Sequence, residues 1–172
     1  IVFASRKVTV SVTARACKER NGMYEIIEKT SLNPTVSRIT VRAPRVAKKA
    51  EAGQFVILRT DGDGERIPLT IADFDRALGT VDVIYQIVGA TTRKLDALNV
   101  GDALHDLVGP LGRPSELDGL NTVAVIGGGV GCAIALPIAK KLHALGATVH
   151  SVIGFRTRDL VSLEKEFKAV AD

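Results

Sequence analysis

The apolar pattern of this chain changes type once along its length, and that change limits the folds open to it. Up to about residue 108, apolar residues alternate with polar ones in short runs, and the clearest run places Val81, Val83, Tyr85 and Ile87 on one face. From residue 122 the pattern becomes an unbroken apolar strand, a glycine run and an apolar segment of helix length. The sequence therefore predicts an all-β unit followed by an α/β unit.

The all-β unit is predicted to be an antiparallel β-barrel formed by residues 23–110. Its strands are predicted over residues 24–28, 37–43, 54–60, 66–71, 80–88 and 102–108, with one helix over residues 91–98. The strand over residues 54–60 is apolar on both faces, and the sequence DGDG that follows it predicts a hairpin. Aromatic residues make up only 4% of the chain, so the core must consist mostly of Val, Ile, Leu and Ala.

The α/β unit is predicted over residues 122–172, after a connection over residues 111–121 that is rich in glycine and proline. Its elements are predicted as a strand over 122–126 buried on both faces, a helix over 131–145, a strand over 147–154 and a helix over 162–170. The residues expected to be buried on the two helices are Ile134, Ile138, Leu142 and Leu145, then Leu163, Phe167 and Val170. Gly146 suits the position after the first helix.

This order of elements predicts the first βαβα of a doubly wound parallel sheet. Open sheets of that kind usually have five or six strands, and two parallel strands do not bury themselves. We therefore expect the α/β unit to be a truncated part of a longer nucleotide-type domain.

Charge and cysteine content narrow the range of partners. The net charge of +4 lies entirely in residues 1–22, a basic extension, whereas residues 23–172 are neutral overall. That extension fits a linker from an upstream domain or an artificial extension better than an organellar transit segment. A neutral, aromatic-poor core argues against a nucleic-acid partner, and no apolar run reaches the length of a membrane span. The distant cysteines Cys17 and Cys132 fit a reducing cytoplasm and cannot by themselves assemble a metal or iron–sulfur site.

Three short motifs carry the candidate chemistry. The glycine run at residues 127–131 lies between a strand and a helix, where backbone N–H groups and the helix dipole favour a pyrophosphate. The sequence RIPLT at residues 66–70 places a planar cation beside a strand interrupted by proline, and GATT at residues 89–92 opens a helix, with Thr91 or Thr92 as the expected N-cap. Each motif alone also fits a ligand-free turn, edge strand or helix cap.

Other candidate residues give weaker indications. The glycine spacing is not a regular GxGxxG, and no acidic residue follows it by about twenty positions. Arg156 and Arg158 lie nearby instead, which fits a 2′-phosphate on the ribose. His105, His143 and His150 are scattered, and we interpret them as non-catalytic.

Taken together, the sequence resembles the ferredoxin–NADP reductase superfamily, which pairs an FAD-binding barrel with a nicotinamide domain. The matching stretches are AGQFV at 52–56, ERIPLTIAD at 65–73, VGPLGRPS at 108–115, IGGGVGCAIALPIA at 126–139 and GFRTRDL at 154–160. Within the superfamily the chain is most similar to the small FAD subunits of NADH-dependent ferredoxin:NADP oxidoreductases (sulfide dehydrogenase beta subunits). It is also similar to the electron-transfer subunits of dihydroorotate dehydrogenases.

The resemblance implies a role for particular residues. Arg66 would face the pyrophosphate and Thr70 the isoalloxazine, as a flavin contact rather than an acid or base. The other residues that match cofactor-binding positions are Pro68, Leu69, Gln86, Ile87, Val88, Gly89, Thr91 and Thr92 for FAD, and Gly128, Gly129, Val130 and Arg156 for the nicotinamide nucleotide. The cysteine cluster that holds a [2Fe-2S] centre in these relatives has no match in this chain.

The function implied is that of an FAD-dependent electron-transfer subunit. It would pass electrons between NAD(P)H, the flavin and a larger iron–sulfur flavoprotein partner in the cytoplasm. Dihydroorotate dehydrogenase electron transfer is the alternative within the same class. A barrel that serves only as a non-catalytic interaction module is the alternative of another class, although the intact RIPLT and GATT motifs argue against it.

Overall fold

The computed structural model describes residues 24–172, so the predicted basic extension, Cys17 and Met23 lie outside the described residues. The first seven strands and two helices are β1 (Tyr24–Asn33), β2 (Val36–Arg42), α1 (Pro44–Ala47), β3 (Phe55–Arg59), β4 (Ile67–Asp75), β5 (Thr80–Gln86), α2 (Ala90–Ala97), β6 (Ala103–Leu104) and β7 (Asp106–Leu111). They are followed by β8 (Thr122–Gly128), a 3-10 turn (Gly129–Gly131), α3 (Cys132–Ala144), β9 (Thr148–Gly154), a second 3-10 turn (Arg158–Leu160) and α4 (Glu164–Lys168).

The first seven strands form one antiparallel sheet in the order β6-β1-β2-β5-β4-β3-β7. The single strand predicted over residues 102–108 is wrong in detail, because His105 divides it into two strands with different partners. β6 pairs with β1, and β7 pairs with β3. The chain segment from Ala103 to Leu111 therefore joins both edges of the sheet, which closes it into a nearly complete barrel.

The barrel core contains the residues predicted from alternation. Val81, Val83 and Tyr85 of β5 are buried in it, and Ile87 packs against it. α1 lies where β2 ends and β5 begins, since the N–H of Ala43 bonds the carbonyl of Gly79 at 2.9 Å. α2 follows β5 at the opposite end of the barrel. The barrel is thus filled by aliphatic side chains and carries one helix at each end.

β8 and β9 form a separate, two-stranded parallel sheet, with α3 as the connection between them. Gly146 follows α3 with a φ of 84°, as predicted for the residue after a helix. α4 is shorter than predicted, but Leu163 and Phe167 are buried and Val170 is partly buried, as expected. These elements are the predicted βαβα arrangement.

Two predictions about burial in this unit are wrong. β8 is not buried on both faces, because Ile126 is 73% exposed. Of the predicted stripe, Leu142 is buried and Ile138 is partly buried as expected, but Ile134 on α3 and Leu145 just after it are exposed. Besides Leu142, the helix buries Cys132, Ala133, Leu136, Pro137 and Ala139. The reason is that α3 packs against β4 of the barrel as well as against its own sheet, so its buried surface is wider and displaced from the predicted stripe.

The two units share a hydrophobic cluster. Val36, Ala72 and Ile84, from the outer face of the barrel, are buried together with residues of α3 and α4. An ion pair of 2.5 Å between Lys140 and Asp73 joins α3 to β4, and the side-chain amide of Asn33 donates to the carbonyl of Leu160. The α/β unit is therefore held against the outer face of the barrel. No helix in the described part of the chain is long and apolar enough to cross a membrane.

Candidate functional site

A split between β4 and β5 forms the centre of the candidate site. β4 pairs with β3 through residues 67–70, and with β5 only from Ile71 onward, where Ile71 faces Val83. β5 continues beyond Val83 along β2, up to the pair formed by Val36 and Gln86. The start of β4 and the end of β5 therefore diverge, and their facing backbone edges are available to a ligand.

The predicted flavin-site residues lie along these two diverging edges. Leu69 and Ile87 point into the barrel, because their side chains pack against its core. Their side chains therefore do not face a ligand in the split, and the N–H of Ile87 already donates to the carbonyl of Thr35 at 2.8 Å. Pro68, Thr70, Gln86 and Val88 alternate with those inward residues and lie on the outer face of the sheet. That is the face against which α3 packs.

The N-terminus of α2 lies beyond the end of β5. The expected N-cap at Thr91 or Thr92 is wrong, because Gly89 occupies the cap position and no side chain caps this end of the described helix. Thr92 instead accepts hydrogen bonds from the N–H groups of Val88 and Gly89, both at 3.0 Å, which fixes the entry of the chain. Thr92 thus bonds the N–H of the cap residue, but Gly89 has no side chain to accept the first N–H groups inside the helix, which present the positive end of the helix dipole to the split.

At this end of the barrel, three carboxylates contact the hydroxyl or cationic side chains of the RIPLT motif and of α2. The hydroxyl of Thr91 donates to Glu65 at 2.6 Å, Lys94 donates to Asp61 at 3.3 Å, and Arg66 lies 3.7 Å from Asp106. The Lys94 hydrogen bond holds the pKa of Asp61 below its usual range. The first two contacts attach α2 to the loop between β3 and β4. RIPLT and GATT, which are far apart in sequence, are thereby adjacent.

The other end of α2 is fixed by Asp96. Its carboxylate accepts hydrogen bonds from Ser37 at 2.8 Å and Tyr85 at 3.1 Å, and it forms an ion pair with Lys29 at 3.5 Å. Burial raises the pKa of Asp96, but the Ser37 hydrogen bond, the charge of Lys29 and the Tyr85 hydrogen bond outweigh it, so the pKa is lowered. Burial and the neighbouring carboxylate raise the pKa of Tyr85. Side chains from β1, β2 and β5 thus hold α2 in one orientation.

The glycine run forms the turn between β8 and α3 and lies beside β5. Gly129 has a φ of 53°, a left-handed conformation that favours glycine. A Cβ on Gly127 would lie 3.1 Å from the Cα and Sγ of Cys132, whereas a Cβ on Gly128 would have no described atom within 4 Å. The Gly129–Gly131 turn contacts β5. Gly128, Gly129 and Val130 are therefore on the same side of the barrel as Thr70.

Arg156 lies at the same edge of the parallel sheet as the glycine turn, since Gly128 pairs with Gly154 at the carboxyl ends of the two strands. The side chain of Arg156 is exposed and lines a cleft of about 840 Å³ between β9 and α4, together with Arg158 and Lys168. Carboxyl ends of parallel strands are where α/β sheets bind ligands. The geometry therefore brings the predicted residues into two adjoining groups, one at the barrel split and one at the sheet edge.

Sequence reasoning missed the acidic residues Glu65, Asp61, Asp106 and Asp96. Asp96 had a recognisable signal: an acidic residue in the last turn of a helix opposes the helix dipole, so it indicates a tertiary partner. The partners of the other three come from distant segments and have no local signal. Among the described residues, no group of His, Cys, Asp or Glu has the arrangement of a metal site. Burial raises the pKa of the Cys132 thiol.

Comparisons with known proteins identify the family. No family model matches the chain. It is 41% identical over 150 residues to a dihydroorotate dehydrogenase B electron transfer subunit homolog of Thermotoga maritima, covering 87% of this chain and 53% of that protein. A solved structure of the NADH-dependent reduced ferredoxin-NADP oxidoreductase superposes with a TM-score of 0.83 at 39% identity, covering 90% of this chain and 56% of that one. This chain belongs to the ferredoxin–NADP reductase superfamily.

Other relatives agree with membership of the ferredoxin–NADP reductase superfamily. A dihydroorotate dehydrogenase B electron transfer subunit of Streptococcus pneumoniae is 35% identical, covering 83% of this chain and 57% of that protein. The ferredoxin-NADP+ reductase of Plasmodium falciparum shares the fold, with TM-scores of 0.72 and 0.68 and 15% identity in two structures. The chain spans about half the length of the curated relatives it matches.

Proposed function

We propose that this chain is the flavin-binding part of an FAD-dependent electron-transfer subunit. The observation that carries the proposal is the split between β4 and β5, which lies in front of the N-terminus of α2, where the cap residue is Gly89, and beside the glycine turn. A flavin bound there would supply hydride and electron transfer. The chain itself would contribute binding, orientation and exclusion of water.

The residues present fit an FAD. Arg66 has an exposed guanidinium at the start of β4, suited to a diphosphate. The N–H groups of Thr91 and Thr92 in the first turn of α2 would supply donors for the same anion, and Gly89, whose own N–H donates to Thr92, would allow its close approach. Thr70 offers a hydroxyl, and the residues that line the split beside it are Pro68, Leu69, Gln86, Ile87 and Val88. The N–H groups of Ile87 and Val88 already donate to Thr35 and Thr92, so these two residues would offer the polar rim of an isoalloxazine their carbonyl groups.

For the second substrate we propose a nicotinamide nucleotide at the carboxyl edge of the parallel sheet. Gly128, Gly129 and Val130 would meet its diphosphate, and Arg156 its adenosine end. The position of the glycine turn beside β5 supports this, because it sets the two cofactor sites next to each other. Close approach of nicotinamide and flavin is what hydride transfer requires.

The proposal extends to a complex. The relatives named above are subunits of dihydroorotate dehydrogenase B and an NADH-dependent ferredoxin-NADP oxidoreductase. We propose that the full protein works in the cytoplasm with a larger iron–sulfur flavoprotein subunit, and that a [2Fe-2S] centre belongs to sequence beyond these residues. The identity to the dihydroorotate dehydrogenase subunits favours their reaction as the second candidate. Co-purification with a dihydroorotate dehydrogenase, as opposed to a glutamate-synthase-like subunit, would decide between the two.

A visible absorption spectrum of the purified chain, before and after addition of FAD, tests the proposal. We expect a flavin spectrum that stays with the protein through gel filtration. A folded chain that remains colourless with excess FAD would contradict the proposal and favour a non-catalytic interaction module. Circular dichroism provides the control for folding.

A further inference from the structure

Donors at the proposed diphosphate site, and Lys94 beside it, are already in contact with carboxylates of this chain. Thr91 donates to Glu65, Lys94 to Asp61, and Arg66 lies beside Asp106. The Thr91–Glu65 hydrogen bond is the shortest of the three, at 2.6 Å between the two oxygens. An anionic group therefore lies at the first turn of α2, where the proposed function places the flavin diphosphate.

Glu65 is well placed to occupy this position and to leave it. It lies in the loop between β3 and β4, immediately before Arg66, and its residue is exposed. A carboxylate near the N-terminus of a helix is stabilised by the helix dipole, as a phosphate is. A diphosphate at Thr91 would have to replace the carboxylate there, because two anions repel each other at such short range.

We infer that Glu65 is an internal competitor for the flavin diphosphate. In the flavin-free chain its carboxylate holds the donor of Thr91 in place, and it moves away when FAD binds. The Glu65 side chain thereby keeps the first turn of α2 in the geometry that binds a diphosphate, but it lowers the affinity of the site for FAD. This inference rests on the proposed function, since it concerns the same site.

The test compares Glu65→Gln with Asp63→Asn in the full 172-residue chain. Both substitutions remove one negative charge from the same loop with little change in size. Asp63 is exposed, and among the described residues its side chain has no hydrogen bond or ion pair to α2. Dissociation constants for FAD and for riboflavin, which has no phosphate, are measured for both variants and for the unmodified chain by fluorescence titration.

We expect E65Q to bind FAD about fivefold more tightly than the unmodified chain, as the loss of one competing charge contact of about 1 kcal/mol implies. Riboflavin affinity should not change, and D63N should alter FAD affinity less than twofold. A general loss of structure cannot produce a gain in affinity. An equal gain in D63N, an equal gain for riboflavin, or unchanged or weaker FAD binding by E65Q would each overturn the inference.

The same titrations separate this inference from the proposed function. Equal FAD affinity in all three proteins would contradict the competition by Glu65 but would still support the proposed flavin site. Binding of neither FAD nor riboflavin by any of the three, with native circular dichroism, overturns both.

Discussion

At the scale of single residues, the two adjacent glycines Gly127 and Gly128 differ in why a side chain would be unfavourable there. At Gly127 the reason is packing inside the protein, and at Gly128 it is the proposed approach of a ligand. Gly127 faces the start of α3, and an added Cβ would press on the backbone and sulfur of Cys132. Gly128 faces open space. Glycines between a strand and a helix allow either close internal packing or the close approach of a ligand. We assign the first role to Gly127 and the second to Gly128.

We expect Gly127→Ala to lower the free energy of unfolding by about 1–3 kcal/mol, because the helix backbone must shift to admit the methyl group. Gly128→Ala should change stability by less than about 0.5 kcal/mol, while it weakens binding of a nicotinamide nucleotide. Urea unfolding and nucleotide titration measure the two effects. Equal stability losses in both variants would contradict the assignment.

The flavin contacts give a second prediction at this scale. Replacement of Arg66 and Thr70 by alanine should weaken FAD binding by about tenfold or more, since a charge-assisted hydrogen bond contributes about 1.5–3 kcal/mol. Arg42→Ala is the matched control, because Arg42 lies at the α1 end of the barrel and pairs with Glu25. Full FAD retention by the double variant, measured by equilibrium dialysis, would refute the site.

At the scale of elements, α2 is an eight-residue helix whose position is set by its partners. Short helices are marginal in isolation, so its orientation depends on the network around Asp96 at one end and on Glu65 and Asp61 at the other. The sequence predicted this helix to within one residue at each end. It did not predict the contacts that hold the helix in place, because Ser37, Tyr85 and Lys29 come from three separate strands.

Asp96→Ala should lower the free energy of unfolding by about 1–3 kcal/mol at pH 7. The folded-state pKa of Asp96 is below its unfolded value, so its contribution is present above the unfolded pKa, about 3.9. It is lost as the pH falls through the folded pKa. Urea unfolding between pH 3 and 7 should therefore give a difference between the two proteins that narrows below about pH 4. Asp118→Ala, at an exposed position, serves as the control and should have little effect at any pH. A gap that widens in acid would contradict the role of Asp96.

At the scale of the whole molecule, the α/β unit carries an exposed apolar surface. Ile126, Val152 and Ile134 are each more than half exposed. Alternation and helical periodicity predicted the elements correctly, yet the burial of Ile134 and Leu145 and the double burial of β8 were wrong. Pattern alone reports that a face is apolar, and it does not report which of two neighbouring surfaces the helix will contact, here its own sheet and β4.

We expect the chain to self-associate at high concentration through this surface, and Ile126→Thr with Val152→Thr to reduce that association without loss of folding. Val125→Thr is the control, because Val125 is buried beneath α3 and its substitution should destabilise the fold. Sedimentation velocity over a range of concentrations measures the association. Unchanged association in the double variant would place it elsewhere on the molecule.

The closure of the barrel by the segment from Ala103 to Leu111 has a consequence for synthesis. This segment is the last barrel strand to leave the ribosome, and it supplies the partner of both β1 and β3. Until it emerges, the nascent chain carries two open strand edges, which are the feature that promotes pairing with other chains. The nascent chain is therefore most prone to misassembly before the flavin site is complete. A bound flavin can stabilise the barrel only after this stage of synthesis.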